Sequence, residues 1–230
     1  MPPHALARPA AEAALDLAPS SAFAGHWREP LARRMDAAVH VAGATVAAGA
    51  APALLAAPDG LSWPVAAYAL AAVALFPASG LFQHGPAAWR DVTIKLDHAA
   101  IYLKIAATYG ALAAVSGAAL GPAAAGPWVL ALGGAGLRAM GPPRMRAASL
   151  AIYLVVVLGG LAAIWPALSA LSPEAYRLVM LGGAVYLVGM LFHLRDRMRF
   201  GQAIWHGLVL VASALVCAAI LTELGRGAGA

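Results

Sequence analysis

Seven apolar runs of about 18–21 residues follow one another through this chain, more than one soluble domain could bury. They lie at 37–57, 62–82, 98–118, 120–137, 147–166, 174–192 and 203–222. At about 1.5 Å of rise per helical residue, each can cross the ~30 Å of hydrocarbon in a bilayer. Only 11% of the residues are charged, against about 25% in an ordinary soluble domain. The fold class expected is all-α: a seven-transmembrane helix bundle over 36–222. A mobile cytoplasmic arm (1–35), helical near 10–17, precedes it, and a short tail (223–230) follows. The arm mixes Pro, Ala, Arg, Glu and Asp with no uninterrupted apolar core, so it does not read as a secretory signal.

The basic residues set an orientation. Arg8, Arg28, Arg33 and Arg34 fall in the arm, and Arg90 and Lys95 follow the second run. Arg138, Arg144 and Arg146 follow the fourth run, and Arg195, Arg197 and Arg199 follow the sixth. Only Arg177 and Arg226 lie on the opposite side. An excess of Lys and Arg marks cytoplasmic loops, so the N-terminus is expected inside and the C-terminus outside, which requires an odd number of spans. The pI near 9.8 is thus a topology signal, and no nucleic-acid partner is expected. Membrane lipids are the expected partners, and the cell (inner) membrane the expected location. The single Cys217 excludes an intramolecular disulfide.

This topology gathers polar residues at one face of the membrane. Asp36, His40, Ser79, Gln83, His84, Asp97, His98, His193, Gln202 and His206 all fall at the cytoplasmic ends of runs one, two, three, six and seven. Asp36/His40, Ser79/Gln83 and Gln202/His206 are i, i+4 pairs, each on one helix face. Intramembrane polar groups normally face the bundle interior, so one shared cavity is expected, lined by Gln83, Gln202, His40 and Lys104.

Several of these residues carry a family likeness. Residues 96–109 (LDHAAIYLKIAATY), 36–43 (DAAVHVAG), 182–189 (GGAVYLVG) and 203–206 (AIWH) occur in order. Together they resemble the span signatures of the hemolysin III family, within the progestin and adipoQ receptor superfamily. In that family Asn is more usual at the position of Asp36. The resemblance implies seven helices and a zinc site at the cytoplasmic end. Related alkaline ceramidases use Ser, Asp and three His there to hydrolyse a lipid amide. Carried over, the Ser is Ser79, the Asp is Asp97 and the last His is His206. The remaining two histidines fall at Gln83 and Gln202.

A neutral amide oxygen is a poor ligand for Zn²⁺, so the carried-over site is expected to be incomplete. His84 lies one residue beyond the matched position, and unwinding before Gly85-Pro86 could turn it inward. His193 could approach from the sixth span, giving a rebuilt set of His84, His193 and His206. Lys104 stands where the family pattern is apolar. Two turns from Asp97, its ammonium is expected either to reach back toward that carboxylate, replacing the metal's charge, or to snorkel to the cytoplasmic interface.

Two readings follow. In one, the protein is a non-catalytic sensor, lipid-binding or permeability protein with no cofactor. In the other, it is a zinc-dependent lipid amide or ester hydrolase, with Ser79 and Asp97 in catalytic roles. No phosphate loop, nucleophile elbow or Cys-X-X-Cys is present.

Overall fold

The computed structural model describes residues 29–57, 59–119, 121–140, 146–194 and 198–227, with backbone alone at 138–140 and 146–150. Most of the arm, the tail from 228 onward, Arg144, Arg195 and Arg197 therefore lie outside the described residues.

Eight α-helices are described: α1 Pro30–Ala56, α2 Trp63–His84, α3 Arg90–Val115, α4 Gly126–Met140, α5 Arg146–Ala163, α6 Trp165–Ala170, α7 Pro173–His193 and α8 Gly201–Gly227. Their starts follow proline chemistry. Pro30, Pro64 and Pro173 occupy first-turn positions, where a missing N–H costs nothing. At α7 the Ser172 hydroxyl also accepts from the Ala175 N–H.

Five helices, α1, α2, α3 with its preceding turn, α7 and α8, are long and apolar enough to cross a membrane. The Gly- and Pro-rich fourth run yields less. Its first part winds as a 3₁₀ segment, Gly121–Ala125, and the α-helix that follows has 15 residues. The fifth run breaks into α5 and the short α6 at Trp165-Pro166. Large apolar side chains such as Val41, Leu70, Leu187 and Val211 are exposed on the outside, as the lipid-facing surface of a multi-pass integral membrane protein requires.

Helices α1 to α5 each pack on the next, and α8 closes the arrangement by packing on α7, α1 and α3. In lipid, close packing of small residues holds helices together, since lipid tails are as apolar as the helix surface. Gly43 on α1 shows this: a Cβ there would come within 2.5 Å of the Phe76 ring on α2. Gly182 plays the same part between α7 and α8, where a Cβ would meet the Ala212 carbonyl oxygen at 3.2 Å. The start of α1, the end of α2 and the start of α8 thereby come to one end of the bundle. An exposed ion pair, Arg199 to Glu29 at 2.7 Å, crosses that same end.

Candidate metal centre

Asp36, in the second turn of α1, is fully buried and accepts hydrogen bonds on both carboxylate oxygens. His206 of α8 donates from Nδ1 to Oδ1 at 2.6 Å, and His84 of α2 donates from Nε2 to Oδ2 at 2.8 Å. His40, one turn further along α1, donates from Nδ1 to the Asp36 backbone oxygen at 2.8 Å. The His40 ring lies 4.3 Å from that of His206 and 5.4 Å from that of His84, centroid to centroid. One aspartate thus organises three imidazoles from three helices, two through its carboxylate and His40 through its backbone oxygen.

The donor set suits a metal ion. Asp36, His40 and His206 each offer a ligand atom, and these atoms lie within 4.8 Å of one another. Imidazole and carboxylate are the ligands that Zn²⁺ takes, at about 2.0–2.2 Å. A neutral imidazole that donates from one nitrogen keeps a lone pair on the other, the arrangement in which a carboxylate or carbonyl orients a metal-ligating histidine. His40 shows the consequence. Its Nδ1 is committed to the backbone, and its buried Nε2 has no hydrogen-bond partner among the described residues. A buried ring nitrogen left unsatisfied is costly unless something binds it. Asp36, His40 and His206 can therefore hold a metal ion.

Of the residues carried over from the family likeness, His206 lies in this cluster. Ser79 and Gln83 on α2, Asp97 on α3 and Gln202 on α8 are all buried. The hydrogen bonds at the site, however, run between Asp36 and the imidazoles. Gln83 Oε1 and Asp97 Oδ1 are buried without hydrogen-bond partners among the described residues. Asp97 does not stand at a helix mouth, because α3 begins two turns earlier at Arg90. His84 reaches Asp36 as the last residue of α2, so no unwinding before Gly85 is needed. His193 stacks on Trp205, with ring centroids 5.0 Å apart.

Lys104 corrects both sequence expectations. Its ammonium neither turns back to Asp97 nor snorkels to the interface. It donates to the Thr108 hydroxyl at 3.2 Å, one turn further into the membrane, and lies 4.1 Å from the centroid of the Tyr68 ring. The hydroxyl and the aromatic face are local partners at that depth, and a deeply buried ammonium uses both.

Asp36 is the residue that the sequence undervalued. Its signal in the sequence is the i, i+4 pairing with His40.

The family model described as Haemolysin-III related matches residues 32–217. The chain is 34% identical over 137 residues to the Hemolysin-3 homolog of Bacillus subtilis (strain 168), covering 57% of this chain and 63% of that one. It is 34% identical over 142 residues to Hemolysin-3 of Bacillus cereus, covering 60% of this chain and 64% of that one. The aligned region thus spans less than two thirds of either relative.

Proposed function

The chain belongs to the haemolysin-III related family, and from that premise we propose that it is a non-catalytic, metal-responsive membrane protein. A divalent ion, Zn²⁺ by the donor set, is held between α1, α2 and α8 and fixes how those helices pack. Membrane lipids are its immediate partners, and membrane permeability is the property that its packing controls. The printed name of the relatives, hemolysin, bears on the last point only as a lead. The topology that accompanies this reading is seven spans with the N-terminus inside, supported by the distribution of Arg and Lys, in the cell membrane.

One observation carries the proposal: Asp36 and His40 of α1 meet His206 of α8 in one buried donor set, with His84 of α2 bonded to the same carboxylate. Here three imidazoles and a carboxylate are at hand, and Asp36, His40 and His206 are all less than a tenth exposed. Bound there, a metal ion would supply a cross-link between the first and last helices. The chain's own contribution is orientation: Asp36 fixes which nitrogen of each ring carries the proton.

A second reading rests on Asp97. A buried carboxylate oxygen without a partner at the same end of the bundle suits proton transfer in hydrolysis of a lipid amide or ester. Reconstitution into dye-loaded vesicles separates the two readings. The non-catalytic reading expects dye leakage to change on chelation and return with added zinc, and no cleavage of a fluorescent lipid amide. Metal-dependent cleavage, abolished in Asp97→Asn, would replace it with the hydrolase. Leakage insensitive to metal would refute the permeability role.

A further inference from the structure

A second polar feature lies deeper in the membrane than the metal centre. Between α1, α2, α3 and α8 is a cavity of about 40 Å³. Ala47, Leu54, Ala72, Leu75 and Leu210 wall it, and Lys104 is the only charged residue of its lining among the described residues. Two further lining residues, Val46 on α1 and Ala214 on α8, are exposed on the outer surface of the bundle. The cavity therefore opens sideways toward lipid, between the first and last helices.

We propose that this cavity is a binding site for a single-chain amphiphile with a carboxylate head, the carboxylate pairing with Lys104. Lys104 is 4% exposed, and no carboxylate of the described residues lies within ion-pair distance of it. Its described contacts, the Thr108 hydroxyl and the Tyr68 face, are neutral. An ammonium at this depth is costly and ordinarily marks a ligand or ion pathway. An anion that neutralises it must arrive through lipid, because the cavity opens on the lipid-facing surface.

Size and polarity narrow the class. A site of 40 Å³ holds about three waters, enough for a carboxylate but not for a glycerophosphate head. The apolar walls and the lateral opening suit an alkyl chain running out between α1 and α8. A small soluble anion would gain nothing from those walls. The Thr108 hydroxyl is within reach of Lys104 and also donates to the Lys104 backbone oxygen at 2.7 Å, so its position is fixed before any ligand arrives.

The test uses the full chain in phosphatidylcholine nanodiscs, treated with EDTA and titrated separately with dodecanoate, dodecanol and acetate. Native mass spectrometry reads the adducts. The expected result is one dodecanoate per chain, with no comparable adduct from dodecanol or acetate. Lys104→Met should weaken dodecanoate binding by about tenfold or more, the scale of one charge-assisted hydrogen bond. Ala47→Leu, which fills the cavity and keeps the lysine, should also abolish the adduct, and it carries the test if Lys104→Met does not fold. Equal binding of dodecanol would reduce the cavity to an apolar cleft, and equal binding of acetate would make it a soluble-anion site. Binding unchanged in Lys104→Met and Ala47→Leu would place the ligand elsewhere. An adduct seen only before EDTA treatment would belong to the metal centre. Each of these results overturns the proposal.

Discussion

His206 Nδ1 donates to Asp36 Oδ1 across 2.6 Å, joining residues 170 positions apart and fastening the last helix to the first. His84 brings α2 to the same carboxylate, so a single side chain holds three helices at one end of the bundle. A ligand that engages this group is thermodynamically coupled to the folded packing of those helices.

Thermal stability should therefore depend on metal. An ion present at about a hundredfold over its Kd stabilises a native state by ~2.7 kcal/mol. Chelation should lower the unfolding midpoint by several degrees in detergent, and stoichiometric zinc should restore it. Differential scanning fluorimetry measures the shift.

Asp36→Asn preserves shape but replaces an acceptor-only carboxylate with an amide that has one acceptor oxygen. Two imidazoles now donate to the two carboxylate oxygens, and the amide NH₂ cannot accept from either. Loss of an orienting partner typically lowers metal affinity about 10- to 100-fold. Competition with a zinc-sensitive dye should show a drop of that size, with helical content unchanged by circular dichroism.

Acid should release the ion. Metal-ligating imidazoles must be neutral, and binding an ion to them displaces protons. Apparent affinity should therefore fall as the pH is lowered and be restored on returning to 7.5. Equilibrium dialysis across that range checks the sign. Affinity that rises in acid would exclude imidazole ligation.

Gly43→Ala tests the packing that brings α1 to α2. The added Cβ would come within 2.6 Å of three atoms of the Phe76 ring, on the α1 turn next to His40. Overpacking of this kind costs about 1–3 kcal/mol. A lower unfolding midpoint is expected, with a weaker metal site as a secondary effect. Gly49→Ala, which meets nothing within 4 Å on the same helix, should be close to silent.

The sequence revealed the helical membrane class because apolar runs of bilayer length have no other use. It also groups Asp36, His40, His84 and His206, which the structure brings together at one end of the bundle. It could not reveal which carboxylate organises that end. Asp36 and Asp97 both have a histidine close by in sequence, and only helix packing shows that His84 and His206 converge on Asp36. Lys104 was misplaced because its direction depends on Tyr68, a partner from another helix that spacing along α3 does not reveal. The Gly- and Pro-rich fourth run forms a 15-residue helix after a 3₁₀ segment, and that helix is not among the five described ones long and apolar enough to cross a membrane.

The metal content of purified protein bears most directly on the central claim. The chain should be produced in zinc-supplemented medium, isolated without chelator, and analysed by inductively coupled plasma mass spectrometry beside His40→Ala and His206→Ala. About one zinc per wild-type chain, and well under a tenth of that in either variant, is the predicted result. Metal-free wild-type protein, or zinc retained in both variants, would contradict a centre built on Asp36, His40 and His206.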